Sequence, residues 1–238
     1  MSEPTLNEIL AKIKTTDFVN IYVPSLKQEV PFKPLTLLQQ RNIIDKVSNT
    51  GYGLVDFFLN VNEIIKANCA DSTLYAKLNT VDRINIIVSL RKTLSQTYQD
   101  VDLQKLVDKN KTVVLPPLEQ IVESEKFYFE ISAPSLIEDT KFNTFLITNF
   151  RDERQLLGKL LVCEVCKFVN KITALDSNTT FDLSNQSVKN KWNIIEALES
   201  KNLKPIFDYI TSIRNSEEEF VKLEDTQIDI GPELFILW

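Results

Sequence analysis

The sequence contains no histidine and very little glycine. None of its 238 residues is histidine, and only four are glycine. Without histidine, Ser-His-Asp and Cys-His catalysis, HExxH zinc sites and facial-triad iron sites are all excluded. The GxGxxG and GxxxxGK[ST] motifs are missing too, which excludes the common dinucleotide fingerprint and the P-loop. Catalysis by carboxylates alone stays open, but no pair of acids stands out. We therefore expect no enzyme and no cofactor.

Long apolar runs are also lacking. No stretch of about 18 apolar residues occurs, so we predict no membrane span and no membrane partner. The first sixteen residues carry acids and lack an apolar signal core. These features predict a soluble intracellular protein.

Positive charge is in the minority, with 27 Lys and Arg against 33 Asp and Glu and a formal net charge of −6. Nucleic-acid binding depends on clustered basic residues, and no such cluster is present. We therefore expect no nucleic-acid partner. An acidic mimic of DNA would need denser negative charge over this length.

The three cysteines are too few for a structural zinc site. Cys163 and Cys166 have metal-ligand spacing, but only Cys69 remains and a zinc site normally needs four Cys or His ligands. On a helix this spacing places both thiols on one face, where free cysteine behaves as a small hydrophobic residue. We interpret them as core residues and predict no metal site, although the sequence leaves metal binding by this pair open.

The pattern of apolar residues predicts an α+β fold, mainly helical with small antiparallel sheets. Residues 18–32 predict two short strands, and alternation at Phe127, Phe129 and Ile131 predicts a half-buried strand within 121–132. Helices are predicted around residues 6–13, from Thr36 to 47, and at 54–65, 74–78, 80–94, 142–150, 156–161, 188–198 and 203–213. The segment VCEVCKFV fits either a helix or a strand.

Residues 99–117 are polar at first and end in two prolines, which predicts a linker. The expected domains are an α+β domain at 1–98 and a second α+β domain with an apolar tail at 118–238. The tripeptide Pro-Ser-Leu occurs at 24–26 and at 134–136. It indicates either two copies of a strand–PSL–helix unit or a coincidence.

The last five residues are all apolar, whereas chain ends are usually polar. One interpretation is a hook packed on its own domain. The other is an anchor in a neighbouring subunit, since Trp and Phe dominate binding hot spots. The second interpretation makes Leu234, Phe235, Ile236 and Trp238 partner-binding residues.

The segment from Val23 to Arg41 contains, in order, Pro24-Ser25, Lys27, Val30, Phe32, Lys33, Pro34 and Gln39-Gln40. A second stretch runs from Asp82 to Arg91 and is followed by Tyr98. In these two stretches the chain resembles the T4-like phage baseplate hub proteins, the T4 bacteriophage base plate protein family, and the second stretch is similar to a helix of that family. The likeness covers most of the first hundred residues. From the first segment, Phe32 and Pro34 join the predicted partner-binding residues.

The resemblance implies a structural or assembly component of the baseplate hub of a contractile tail. Its partners would be phage tail and baseplate proteins, with self-association left open. It would be found in the host cytoplasm during assembly and in the tail baseplate of the virion. The alternatives are an assembly chaperone that is missing from finished particles and, less in keeping with the composition, a carboxylate-based enzyme.

Overall fold

The structure, a computed structural model, describes residues 17–48, 53–150 and 156–235. Within these ranges the α-helices are α1 Leu37–Ser48, α2 Gly53–Asn68, α3 Ser72–Tyr75, α4 Thr80–Lys92, α5 Leu103–Asn110, α6 Leu136–Phe150, α7 Leu156–Phe168, α8 Val188–Glu196 and α9 Lys204–Glu219. Short 3-10 helices span Ser200–Leu203 and Pro232–Phe235. The helix predicted at 6–13 lies outside the described residues.

Within the described ranges the strands form four small antiparallel sheets. Three are two-stranded hairpins: β1 Val19–Val23 with β2 Gln28–Phe32, β3 Thr97–Tyr98 with β4 Val101–Asp102, and β9 Lys222–Leu223 with β10 Thr226–Gln227. The fourth sheet has the order β5–β6–β7–β8, from Glu119–Glu123, Phe127–Ser132, Val169–Ala174 and Thr180–Asp182. The predicted α+β, mainly helical fold is confirmed.

Local signals in the N-terminal half place the first elements as predicted. In β1 and β2, alternation buries Ile21, Val23, Val30 and Phe32. Thr36 caps α1, because its Oγ1 accepts from the Gln39 amide while the Gln39 side chain accepts from the Thr36 amide. This reciprocal pair is a capping box, which satisfies two donors that a helix start leaves free.

Helix α4 runs through the middle of the molecule. Every residue from Thr80 to Arg91 is buried, including the polar ones. Its N-cap is Asn79, and Asp82 completes the capping box. A helix buried on all sides makes contacts in every direction. Accordingly, Val81 belongs to one hydrophobic core while Ile84 and Ile87 belong to another.

The predicted linker is wrong over residues 99–110. These residues continue the β3–β4 hairpin and then form α5, which Asp102 caps. Gln99 and Asp100 have positive φ angles of 49° and 62°, as a tight hairpin turn requires. The apolar residues of this otherwise polar segment are buried in the first core: Val101, Leu103, Leu106 and Val107.

The second core forms between the four-stranded sheet and α6 to α9. Phe129 and Ile131 point into it, as the alternation predicts. The predicted strand at 121–132 is a hairpin of β5 and β6, with its turn at Glu125 and Lys126. The ambiguous segment VCEVCKFV is divided: α7 continues to Phe168 and β7 begins at Val169.

The tail does not belong with the second domain predicted at 118–238. Phe220, Val221, Ile228, Leu234 and Phe235 lie in the first core, among residues from the N-terminal half. The second core ends with Ile213 of α9. The chain therefore returns to its beginning after α9, and the predicted boundary does not describe residues 220–235.

The two PSL segments are not copies of one unit. The first forms the turn between β1 and β2, whereas the second joins β6 to α6. Both nevertheless meet the start of α4: Ser25 binds Asp82, and Ser135 forms a β-bridge with Asn79. The similarity therefore reflects two contacts with one helix end rather than a repeat.

Candidate functional site

The buried polar residues of α4 bind segments from the whole chain. They are Thr80, Asp82, Arg83, Asn85, Ser89 and Arg91, none more than 4% exposed. A buried polar group costs free energy unless it is hydrogen-bonded. Four of these six side chains, all except Thr80 and Ser89, bind a partner outside α4. This helix is therefore the organising centre of the fold.

Asp82 holds the first hairpin. Its carboxylate accepts hydrogen bonds from the Ser25 amide at 2.9 Å, the Ser25 hydroxyl at 2.6 Å and the Asn79 amide at 3.0 Å. Burial raises the pKa of Asp82 to about 6, although these donors act to lower it. Asn85 binds the same hairpin, donating to the Tyr22 carbonyl at 2.7 Å.

Arg83 joins the two cores through a buried ion pair with Asp139 of α6. Its Nη1 lies 2.7 Å from Asp139 Oδ2, and Lys167 Nζ lies 2.9 Å from Asp139 Oδ1. The Arg83 guanidinium also stacks 3.9 Å from the centre of the Phe58 ring. Burial acts to raise the pKa of Asp139, but the two cations and Asn62 hold it well below its usual range.

The ion pairs continue from Lys167 to the molecular surface. Lys167 Nζ lies 2.6 Å from Glu164 Oε1, and Glu164 also pairs with Arg214 of α9. Arg214 in turn lies 2.7 Å from Glu217 Oε2. Burial acts to lower the pKa of Lys167, but Asp139 and Glu164 raise it overall, so the ammonium stays charged. These groups neutralise one another within the fold and leave no free base or nucleophile among them.

Arg91 fastens the C-terminal segment. Its Nε donates to the Leu234 carbonyl at 2.5 Å, and its guanidinium lies 5.4 Å from the centre of the Tyr98 ring. The Asp229 amide adds a hydrogen bond to Gln99. The last described residues are therefore held by α4 and the β3–β4 hairpin.

Three of the four predicted partner-binding residues that the structure describes lie inside the chain's own core. Leu234 is 0% exposed, Phe235 is 2% exposed beside Phe57, and Phe32 is 0% exposed. All three belong to the first core, where the C-terminal hook packs against residues of the N-terminal half, Phe32 among them. Pro34 is half-buried, and its carbonyl accepts from Asn68. Ile236 and Trp238 lie outside the described residues.

The interpretation of Cys163 and Cys166 as core residues is confirmed. Both are free thiols on α7, at 1% and 0% exposure, and both belong to the second core. Burial raises the pKa of Cys163 to about 12 and raises that of Cys166 as well. Neither thiol is poised as a nucleophile, because the reactive form is the thiolate.

Among the residues that the structure describes, none covers one long edge and one face of the four-stranded sheet. Strand β5 lies at the edge, and its outer face continues across β6. Glu119, Ile121, Glu123, Tyr128 and Glu130 alternate with inward residues and share the outer face. Ile121 is 68% exposed and Tyr128 is 41% exposed. This edge is a surface that sequence analysis missed; the alternation of Glu and Ile at 119, 121 and 123 was its only signal.

Other surface features are weaker as sites. Among residues 17–48, 53–150 and 156–235, no three Cys, Asp or Glu side chains are grouped so that they could hold a metal ion. In the same ranges no helix has both the length and the apolar character needed to cross a membrane. Comparisons with protein-family models, curated proteins and solved structures give no significant match.

Proposed function

We propose that this chain is a non-enzymatic interaction protein that serves as a structural or assembly component of a contractile-tail baseplate hub. The open β5 edge with the exposed Ile121 carries the proposal of an interaction role. Exposed strand edges pair readily with other chains, and natural proteins usually cover or shorten them. The assignment to a baseplate rests on the resemblance in residues 23–41 and 82–98.

The interior supports a binding role rather than turnover. The buried charged groups Arg83, Asp139 and Lys167 form ion pairs with one another. An enzyme site instead needs groups with perturbed pKa values in an accessible cleft. The network locks α4, α6, α7 and α9 together, which suits a rigid part of an assembly.

The segments that carry the resemblance also have a structural explanation. Residues 23–41 form the first hairpin and the start of α1, and Asp82 to Arg91 form the buried α4. Asp82 connects the two by binding Ser25. Both segments thus contribute to the first core.

The test is quantitative mass spectrometry of purified particles and of infected-cell lysate from the source organism. A fixed ratio to the other tail proteins in particles supports the structural form of the proposal. Recovery with tail proteins from lysate, but not in particles, supports the chaperone form. A chain that copurifies with no tail protein in either sample overturns the baseplate assignment.

A further inference from the structure

The hydrogen bonds at the two ends of β5 show which of its residues direct their backbone amides and carbonyls away from β6. The Ala133 amide donates to the Leu118 carbonyl, and the Ser124 amide donates to the Phe127 carbonyl. Antiparallel pairs alternate between bonded and non-bonded positions. Residues 120 and 122 therefore bond to β6, while the amides and carbonyls of Glu119, Ile121 and Glu123 point to the open edge.

No other described residue occupies this edge. Among the described parts of the chain, nothing hydrogen-bonds to the outward amides of Ile121 and Glu123. Neither Glu119 nor Glu123 forms an ion pair there, whereas Glu125 in the adjoining turn is paired with Lys201. A groove of about 520 Å³ extends from this edge over β6 to β7, lined in part by Glu119, Ile121 and Lys171. The edge therefore offers backbone donors and acceptors, one apolar side chain and uncompensated negative charge.

The charges argue against a second copy of this chain as the occupant. An antiparallel pair of β5 strands centred on Ile121 would place Glu119 opposite Glu123 of the other copy, at both ends of the pair. Like charges directly opposite each other in a sheet are destabilising. A basic partner strand instead places favourable pairs at both positions.

We propose that β5 docks an extended segment of another protein, with Lys or Arg opposite Glu119 and Glu123 and an apolar residue opposite Ile121. The segment adds a fifth strand to the sheet, and its main chain supplies the hydrogen bonds while the alternate side chains supply selectivity. This inference rests on the proposed interaction role and names the partner chemistry at the same surface.

The probe is a blocked peptide in which Lys-Thr-Ile-Thr-Lys is flanked by threonines, with a matched peptide that carries Glu in place of both Lys. Two-dimensional amide NMR of the full chain follows each titration. We expect shifts at Ile121 and Glu123 with the basic peptide, weakened by added salt, and binding of the acidic peptide about tenfold weaker. Equal affinity for both peptides, or no shift at β5, overturns the proposal.

Two variants separate the backbone from the charges. Ile121→Pro removes an outward amide and leaves the bonds to β6 in place, because proline is tolerated on edge strands. We expect it to abolish peptide binding, while Ile121→Val retains it. The double variant Glu119→Lys, Glu123→Lys should prefer the acidic peptide. Peptide binding retained by a folded Ile121→Pro protein contradicts strand addition.

The same variants distinguish this inference from the proposed function. If the basic peptide causes no shift at β5, and wild type and Ile121→Pro are incorporated equally into tail particles, the β5 docking site is wrong and the baseplate role stands. If the peptide binds at β5 but the chain never accompanies tail proteins, the docking site stands and the baseplate role is wrong.

Discussion

Arg83 Nη1 lies 2.7 Å from Asp139 Oδ2, and the two side chains are only 2% and 3% exposed. The pair connects α4 of the first core to α6 of the second. Moving two charges out of water costs free energy, and their attraction offsets that cost only when the geometry and the remaining hydrogen bonds are good. Here Asn62 and Lys167 fill the remaining positions around Asp139.

Asp139→Asn should therefore be strongly destabilising. The substitution keeps the shape of the side chain but leaves Arg83 buried without an anion. We expect a loss of about 3–5 kcal/mol in the free energy of unfolding, the usual result of removing one member of a buried pair. Chemical denaturation followed by circular dichroism measures the loss.

The matched control is the pair of Lys126 and Glu199, which lies at 2.8 Å but is more than half exposed on both sides. Solvent screens such pairs, so Glu199→Gln should leave the stability unchanged within error. A small effect of Asp139→Asn, similar to that of this control, would mean that the buried pair does not hold the cores together.

The raised pKa of Asp82 should make the protein less stable as the pH rises. Its folded pKa of about 6 exceeds the ordinary 3.8 because burial penalises the charged form. Between these values the folded state binds more protons than the unfolded state, so stability falls as pH rises from about 4 to about 6. The folded pKa lies about two above the unfolded one, which corresponds to a change of roughly 3 kcal/mol in the free energy of unfolding.

The measurement compares wild type with Asp82→Asn by denaturation at several pH values. Other titrating groups are common to both proteins and cancel in the difference. We expect the advantage of wild type over the variant to shrink by about 3 kcal/mol between pH 4 and pH 7. An advantage that grows with pH would show that the Ser25 and Asn79 donors outweigh burial.

The thiols should differ in their rates of alkylation. Burial raises the pKa of all three thiols, but Cys163 and Cys166 are fully buried, whereas Cys69 is only half-buried and reachable by reagents. In the native protein at neutral pH, iodoacetamide should modify Cys69 first and leave the other two intact. Peptide mass spectrometry identifies the labelled site, and full labelling in denaturant is the control. Rapid native labelling of Cys163 or Cys166 would contradict their place in the core.

Sequence patterns predicted elements whose signals are local. The alternation at Phe127 to Ile131 and the cap at Thr36 each involve residues only a few positions apart. Strand β6 and the start of helix α1 accordingly lie where the sequence predicts them. Helix α5 was missed because its few apolar residues, Leu103, Leu106 and Val107, lie in a stretch that is otherwise polar or charged, which gave the segment the composition of a linker.

Contacts between residues far apart in the sequence could not be predicted from local patterns. Arg83 and Asp139 are 56 residues apart, and Arg91 and Leu234 are 143 apart. Nothing local marks such pairs, because a charged residue in a helix most often faces solvent. The open edge of β5 depends likewise on which strands pair, and single-strand alternation does not give the strand order.

The C-terminal segment allows a sharp test of the two interpretations of the apolar tail. Phe235 lies 2% exposed with its ring centre 6.3 Å from that of Phe57. Phe235→Ala should destabilise the chain by about 3–5 kcal/mol, since it removes a buried aromatic ring from the first core. The control Leu157→Ala, at a side chain that is 84% exposed on α7, should stay within about 0.5 kcal/mol of wild type.

Arg91 extends the same test to the backbone of the tail. Its Nε donates to the Leu234 carbonyl, so Arg91→Met should increase hydrogen exchange at the amides of residues 228–235 more than elsewhere. If Phe235→Ala and Arg91→Met both leave stability and exchange unchanged, the hook does not contribute to the core. The interpretation of Leu234 and Phe235 as partner-binding residues would then be favoured, because large apolar side chains left exposed are a liability in water.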